Sequence, residues 1–177
     1  MPQQTVHSPL SANRGARYIT DLKMPVFTPA HLGKWEQLYR DLLEGETLPL
    51  TEEGTWMLAD RTGLLAVFDE GEIVFIGASD KLGRELQIAV SGGAESALRS
   101  LIAIVELGAA KKSAATRAKS GPLAQRISRK LAKMRYRVVP ASPSQISVLA
   151  DAFAVVADPR YNGPTARANA ALDALPK

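Results

Sequence analysis

The sequence predicts an α+β fold in which a small, mainly antiparallel sheet of three strands is flanked by helices. Two apolar runs, residues 63–68 and 72–77, are separated by residues 69–71 (DEG), which is the pattern of a β-hairpin with a glycine in its turn. Another short apolar run, residues 136–139, predicts the third strand. Around these runs, apolar residues recur at steps of three and four, which is the spacing of helices that bury one face.

The first 54 residues are predicted to form an arm and a helical extension of the sheet domain. Residues 1–17 are polar, and they predict either a flexible arm or a strand held against the domain. Thr28 followed by Pro29 is typical of a helix N-cap with proline in the first turn, and this helix is predicted to end near Gly45. Residues 55–59 (TWMLA) then predict a short strand before the hairpin.

Four helices and a short tail helix are predicted after the hairpin. The signals are capping residues, glycines that end helices, and apolar faces at helical spacing. The predicted ranges are 79–90, 95–107, 122–134 and 142–157, and an alanine-rich run predicts a last short helix over residues 165–175. Three helices therefore separate the hairpin from the third strand, and one helix follows that strand.

Size and composition predict one folded domain with extensions. A chain of 177 residues with 46% hydrophobic and 23% charged residues has an ordinary globular composition, which excludes wholesale disorder. We divide the chain into an N-terminal arm and helix (1–54), a central domain (55–163) and a C-terminal helix or tail (164–177). The central domain contains residues 111–137, the most basic stretch of the chain.

Several classes of site are excluded by residues that the chain lacks. There is no cysteine, so disulfides, cysteine-ligated metals and thiol nucleophiles are excluded. The two histidines, His7 and His31, are far from other candidate ligands, which argues against a zinc site or a serine–histidine–aspartate triad. The N-terminus has no apolar signal-peptide core, and no apolar run approaches the roughly 20 residues of a membrane span. We therefore expect a soluble, cytoplasmic protein with no metal, no other cofactor and no membrane partner.

The charges of the chain are divided unevenly. Lys and Arg number 22 and Asp and Glu number 18, for a net charge of +4. Residues 111–137, which we call the basic segment, hold ten of the basic side chains and no acidic one, so the remaining sequence carries 12 basic and 18 acidic residues and a net charge of −6. Ten positive charges without a negative one repel each other unless a polyanion neutralises them. The basic segment therefore predicts a nucleic-acid partner.

Four short motifs follow one another along the central domain. Residues 63–65 (GLL) lie on the first hairpin strand, residues 75–77 (FIG) lie on the second, residues 96–99 (SALR) open a later helix, and residues 159–162 (PRYN) follow the last predicted helix of the domain. In order and spacing they resemble the GIY-YIG nuclease family, whose core carries G-I-Y and Y-I-G on successive strands. The resemblance covers residues 55–163 and implies the family's fold and its nucleic-acid substrates.

The catalytic positions of that family are substituted in this chain. The resemblance places Leu65 and Phe75 where the family has tyrosines beside the scissile phosphate, and neither side chain has a hydroxyl to relay a proton. It places Glu85 at the arginine that stabilises the phosphate and Ala150 at the metal-binding glutamate, and an alanine offers no oxygen to a divalent cation. We therefore expect a pseudo-nuclease with no catalytic residue.

Three remnants keep an enzymatic alternative open. Asn162 matches the family pattern, whereas Arg84 and Asp151 stand one position away from the family's arginine and glutamate. One residue along a helix is a rotation of about 100°, so a local shift of register is needed to restore either role. If that shift occurs, the chain is a divergent, magnesium-dependent endonuclease.

The favoured interpretation is a protein that binds RNA or DNA through the phosphate backbone, with little dependence on sequence. A second alternative is a protein-interaction module that docks the basic segment on an acidic protein surface, and self-association is left open. The candidate nucleic-acid contacts are the ten cations of the basic segment and one arginine of the PRYN motif: Lys111, Lys112, Arg117, Lys119, Arg126, Arg129, Lys130, Lys133, Arg135, Arg137 and Arg160.

Overall fold

Four antiparallel strands form an open sheet that lies between two layers of helices. The computed structural model describes residues 26–167, so His7, the predicted N-terminal arm and all but residues 165–167 of the predicted tail helix lie outside the described residues. The strands are β1 (Leu48–Pro49), β2 (Gly63–Asp69), β3 (Glu72–Ser79) and β4 (Arg135–Pro140), in the order β1-β4-β2-β3. The α+β class is confirmed, but the predicted count of three strands is wrong, because the two residues of β1 also pair with β4.

The central hairpin consists of β2 and β3, as its pattern predicts. Asp69 pairs with Glu72, and the two turn residues, Glu70 and Gly71, have φ angles of +52° and +87°. Positive φ at both positions is what a type I′ turn requires, and this turn matches the twist of the flanking strands. On its other side β2 pairs with β4, so β2 is an interior strand and β3 is an edge of the sheet.

The side chains of β2 enter two separate cores. Leu65 and Val67 belong to a first core cluster on one face of the sheet, whereas Leu64, Ala66 and Phe68 belong to a second core cluster on the other face. Successive residues of a strand point to opposite faces, so this alternation requires cover on both sides of the sheet. β2 is accordingly buried over nearly its whole length.

Helices supply that cover. In chain order they are a 3₁₀ helix (Pro29–Trp35), α1 (Glu36–Leu43), α2 (Glu52–Trp56), α3 (Leu82–Ser91), α4 (Ala97–Val105), α5 (Lys111–Arg117), α6 (Gly121–Leu131) and α7 (Ile146–Ala157). Helices α3 to α6 contribute to the first core cluster, and α1 and α7 contribute to the second. Tyr39 and Leu42 of α1 are buried there, so the N-terminal helix shares the core of the sheet. Within residues 26–167 no helix has the length and apolar character needed to cross a membrane.

Local signals locate four of these helices correctly. The predicted ranges correspond to α3, α4, α6 and α7, and α7 ends at Asp158, which adopts the left-handed conformation with a φ of +44°. Helix α5 was not predicted, because Ala114 is its one buried residue and its sequence therefore shows no apolar face.

The strand predicted over residues 55–59 is wrong. Thr51 caps α2 by accepting a hydrogen bond on Oγ1 from the backbone N–H of Gly54 at 3.1 Å, and two glutamates occupy the first turn, where the helix dipole favours them. These capping signals outweigh the β-propensity of the apolar run. Trp56 consequently ends a helix and is 77% exposed.

A buried arginine joins the helices of the first layer. Arg99 of α4 is 1% exposed, and its guanidinium donates to the carbonyls of Ala89, Ala118 and Ala124 at 2.8–2.9 Å and to the Ser128 hydroxyl at 3.2 Å. Burial lowers the pKa of Arg99. Its charge faces the C-terminal ends of α3 and α5, where the helix dipoles are negative.

We predict that Arg99→Met lowers the free energy of unfolding by about 2–4 kcal/mol, because buried carbonyls lose their donors. Urea denaturation followed by circular dichroism measures this change. The matched control is Arg84→Met, which removes an exposed arginine and is expected to stay within about 0.5 kcal/mol of the parent. Equal stability of the two variants would show that the Arg99 contacts do not hold the helices together.

Candidate nucleic-acid interface

The basic segment folds into α5, α6 and β4, and its cations fall into three groups that differ in their contacts. Some side chains donate hydrogen bonds to backbone carbonyls, and some form ion pairs with carboxylates. Several others are exposed and have no ion pair among the described residues. Arg160, the candidate outside the basic segment, lies after α7 beside the same carboxylates. The exposed group is the one available to an external polyanion.

Arg135 and Arg137 of β4 hold the loop that follows α1. Arg137 donates to three backbone carbonyls within residues 42–46, with its Nε 2.9 Å from the Glu46 oxygen. Arg135 donates from Nε to Thr47 Oγ1 at 2.6 Å. These guanidinium groups satisfy carbonyls at and beyond the end of α1, which have no partner within that helix. Both cations therefore have a structural role.

A network of opposite charges neutralises two further candidates. The Lys130 ammonium lies 3.3 Å from Asp69 Oδ2 and 3.5 Å from Glu106 Oε2. The Arg160 guanidinium lies 3.4 Å from Asp69, 3.2 Å from Glu106 and 3.1 Å from Glu72. Two cations thus share three carboxylates, so most of their positive charge is compensated within the protein.

Glu106 is the centre of this charge network. Burial alone would raise the pKa of its carboxyl, but hydrogen bonds from Tyr161 and Arg160 and the charge of Lys130 outweigh burial and lower that pKa. Tyr161 donates its hydroxyl to Glu106 Oε1 at 3.0 Å, and burial together with that carboxylate raises the pKa of Tyr161. The phenol therefore stays protonated and acts as a hydrogen-bond donor.

Three cations form an exposed face that we call the α6 face: Arg126 and Arg129 on α6 and Lys133 in the turn that ends it. They are three and four residues apart, so they project from one side of the helix. No ion pair neutralises them within residues 26–167. Lys112 and Arg117 on the neighbouring α5 are also exposed. With Lys111, the first residue of α5, the structure brings six of the eleven candidates to the surface of two adjacent helices.

Lys111 and the last candidate, Lys119, lie at the ends of α5. Lys111 is the exposed first residue of that helix. Lys119 follows the helix and lies 3.0 Å from Glu95, so its charge is partly compensated. Neither belongs to the α6 face.

A cleft of about 600 Å³ separates the α6 face from the turn of the central hairpin. The α6 face and the hairpin carboxylates Asp69, Glu70 and Glu72 line it together with Lys130 and Arg160. The unpaired cations of the α6 face attract an anionic ligand, whereas Lys130 and Arg160 in the depth of the cleft are already paired with carboxylates. We therefore expect such a ligand to lie along α6 and not in the depth of the cleft.

The four positions that the resemblance matches to catalytic residues of the GIY-YIG family do not share one surface. Leu65 and Phe75 are buried in the first core cluster, and the Phe75 ring lies so close to Gly77 that a Cβ there would come within 2.7 Å of it. Glu85 lies on α3 in the same layer, and burial raises the pKa of its carboxyl. Ala150 of α7 packs against the second core cluster, across the sheet.

The three remnants also have separate surroundings. Asn162 pairs its side-chain amide with the backbone of Ile76, accepting the N–H at 3.2 Å and donating to the carbonyl, so it covers the edge strand β3. Asp151 of α7 lies 3.3 Å from Arg167. Arg84 is exposed in the first turn of α3, in the helix layer on the other side of the sheet. In the part of the chain that the structure describes, no group of three or more histidine, aspartate or glutamate side chains is arranged to hold a metal ion.

Sequence reasoning missed the carboxylates that compensate Lys130 and Arg160. Asp69 precedes Lys130 by 61 residues, and no local pattern connects the two positions. Only the pairing of β2 with β3 and the packing of α6 beside the hairpin reveal the contact. No protein-family model, curated protein or solved structure matches the chain. The interface is therefore interpreted from its own residues.

We predict that Glu106→Gln destabilises the protein most above about pH 5 and that the difference from the parent disappears as the pH falls. The folded pKa of Glu106 lies below its ordinary value of 4.5, so its ionised form contributes stability above the unfolded pKa and loses that contribution as the pH falls through the folded pKa. Urea midpoints measured between about pH 3 and pH 7 test this. A difference that is independent of pH would show that the charge of Glu106 is not what stabilises the network.

Proposed function

We propose that the protein binds RNA or DNA through phosphate contacts that depend little on sequence. The observation that carries the proposal is the α6 face, where Arg126, Arg129 and Lys133 are exposed on one side of a helix without an ion pair among the described residues. Cations gathered in this way repel each other, and a polyanion removes that repulsion. The exposed α5 cations, Lys112 and Arg117, extend the positive surface.

The geometry of the α6 face suits a chain of phosphates. Seven residues separate the first cation from the last, which is a length of about 10 Å at 1.5 Å per residue. Phosphates of one B-form strand recur about every 3.4 Å along the axis, so about three of them fit this length. The cations in the depth of the cleft are paired with carboxylates, which favours a ligand that follows the helix.

The residues of the α6 face favour phosphate contacts over readout of base edges. Leu123, Ile127 and Leu131 bury one side of α6 in the first core cluster, so the helix lies against the body of the protein. Recognition helices project into the major groove and read bases with asparagine, glutamine or bidentate arginine. The α6 face consists of two arginines and a lysine, with no asparagine or glutamine among them, and this supports contact with phosphates.

The proposed scaffold is GIY-YIG-like and without cleavage activity. Leu65 and Phe75 lack the hydroxyls of the family tyrosines, and both are buried. Asp151 and Asn162 have partners of their own, and Arg84 lies on the other side of the sheet from Asp151. These placements favour binding over the endonuclease alternative.

We predict that neutralising the α6 face with Arg126→Gln, Arg129→Gln and Lys133→Gln weakens binding to duplex DNA, single-stranded DNA and RNA alike. Loss of three phosphate contacts should reduce the magnitude of the slope of log K against log salt by about 2 to 3. Fluorescence anisotropy titrations at two or more salt concentrations, with magnesium present, measure both quantities. The matched control changes three exposed cations elsewhere, Lys34, Arg61 and Lys81, to glutamine and removes the same charge.

The outcomes separate the three interpretations. If both triple variants lose the same affinity, the net charge and not the α6 face governs binding. Cleavage that needs magnesium and is abolished by Arg84→Ala or Asp151→Ala would support the endonuclease alternative. Absence of binding to every nucleic acid at physiological salt would support the protein-interaction alternative.

A further inference from the structure

Trp56 is a large aromatic residue that the core leaves exposed. It ends α2, is 77% exposed and belongs to neither core cluster. Its helix is firmly held, because the Tyr136 hydroxyl donates to the Gly54 carbonyl at 2.7 Å and the Thr55 hydroxyl donates to the Thr51 carbonyl at 2.9 Å. On a fixed backbone, an aromatic side chain has only two χ angles to restrict and binds a partner at a low cost in conformational entropy.

The cleft beside this ring has polar walls. It holds about 510 Å³, and its other lining residues are Glu52, Thr55, Gln87 and Ser91. The ring offers a stacking surface, while the carboxylate and the amide offer hydrogen-bond partners to the edge of a planar heterocycle. This combination of groups suits a nucleobase.

Two shared residues connect the Trp56 cleft to the α6 face. Ser91 also lines a cleft of about 420 Å³ whose walls include Lys119, Ser128 and Arg129. Arg129 in turn lines the cleft of about 600 Å³ beside the α6 face. The three clefts are therefore linked in pairs by shared lining residues. Lys119, Ser128 and Arg129 line the middle cleft, the cleft beside the α6 face also holds the hairpin carboxylates, and Trp56 lines the third.

We infer that the preferred ligand of this protein is a single-stranded nucleic acid, with phosphates along the α6 face and in the cleft of about 420 Å³ and with a base of the same strand stacked on Trp56. This inference rests on the proposed function and specifies the form of its ligand. In a duplex each base is already stacked on its neighbours, whereas a single strand presents its bases to an external ring. Every base has a π-face, so the stacking contact keeps binding tolerant of sequence.

Trp56 itself reports the contact. The chain has two tryptophans, so Trp35→Phe leaves the indole of Trp56 as the single one. This variant is titrated with oligouridylate and oligothymidylate of about eight nucleotides, and with inorganic polyphosphate of similar length. Stacking quenches indole fluorescence. We expect both oligonucleotides to quench it and polyphosphate to bind without quenching, and the two oligonucleotide affinities show whether RNA or DNA is preferred.

Substitution of the ring gives the second measurement. We expect Trp56→Ala to weaken single-strand binding by about 5- to 100-fold and to leave duplex affinity unchanged. Trp56→Leu should behave in the same way, because it restores apolar surface without a π-face. Met57→Ala is the matched control, since it truncates the adjacent apolar residue, which is 87% exposed, and it should bind as the parent does. Circular dichroism confirms that each variant is folded.

The two proposals fail in different ways. Single-strand binding without quenching, or with equal affinity for the parent and Trp56→Ala, would overturn the inference and leave the proposed function standing. Equal losses for single strand and duplex would also overturn it. Absence of binding to the oligonucleotides, the duplex and polyphosphate would overturn the proposed function and the inference together.

Discussion

The first helix layer depends on one buried cation. The Arg99 guanidinium donates hydrogen bonds to one carbonyl oxygen of α3, one at the end of α5 and one of α6. These bonds hold three helices to α4 at a single point. A planar group with five donors can serve several acceptors at once, which an ammonium on a flexible stem cannot do as well. Ser96 of the same motif caps α4 by accepting the backbone N–H of Arg99 at 3.5 Å. The SALR motif therefore has a structural explanation in this chain.

The position of α6 follows from this anchor. Arg99 holds the helix through Ala124 and Ser128, while the buried stripe of α6 packs in the first core cluster. With those two sides occupied, Arg126 and Arg129 have to face outward. The basic segment, uniform in charge along the sequence, is thus sorted by packing into structural, compensated and available cations.

Local information was sufficient for the elements that have a strong pattern. The hairpin was predictable because residues 69–71 signal its turn, and α4, α6 and α7 were predictable from apolar spacing and capping. β1 was not predictable, because its two residues are a strand only through pairing with Tyr136 and Arg135. The strand predicted over residues 55–59 is wrong because an apolar run follows the N-cap of α2. A strand at these residues gives no indication that Trp56 ends a helix and is exposed.

The candidate site was predictable in composition but not in geometry. Counting charges selects the basic segment, yet the count cannot show that Arg137 is bound to carbonyls near residue 45 or that Lys130 is bound to Asp69. These contacts join residues more than 60 positions apart along the chain. Long-range packing therefore decides which cations a ligand meets.

Asn162 covers part of the edge strand β3, and this bears on whether sheets of different molecules can associate in concentrated solution. Its amide satisfies the N–H and the carbonyl of Ile76, and the backbone N–H of Tyr161 satisfies the carbonyl of Val74, as a further strand would do. At the opposite edge, β1 is two residues long and ends in Pro49, which has no N–H to donate. Both margins of the sheet are poor templates for strand addition, and this protects the native protein against edge-to-edge aggregation.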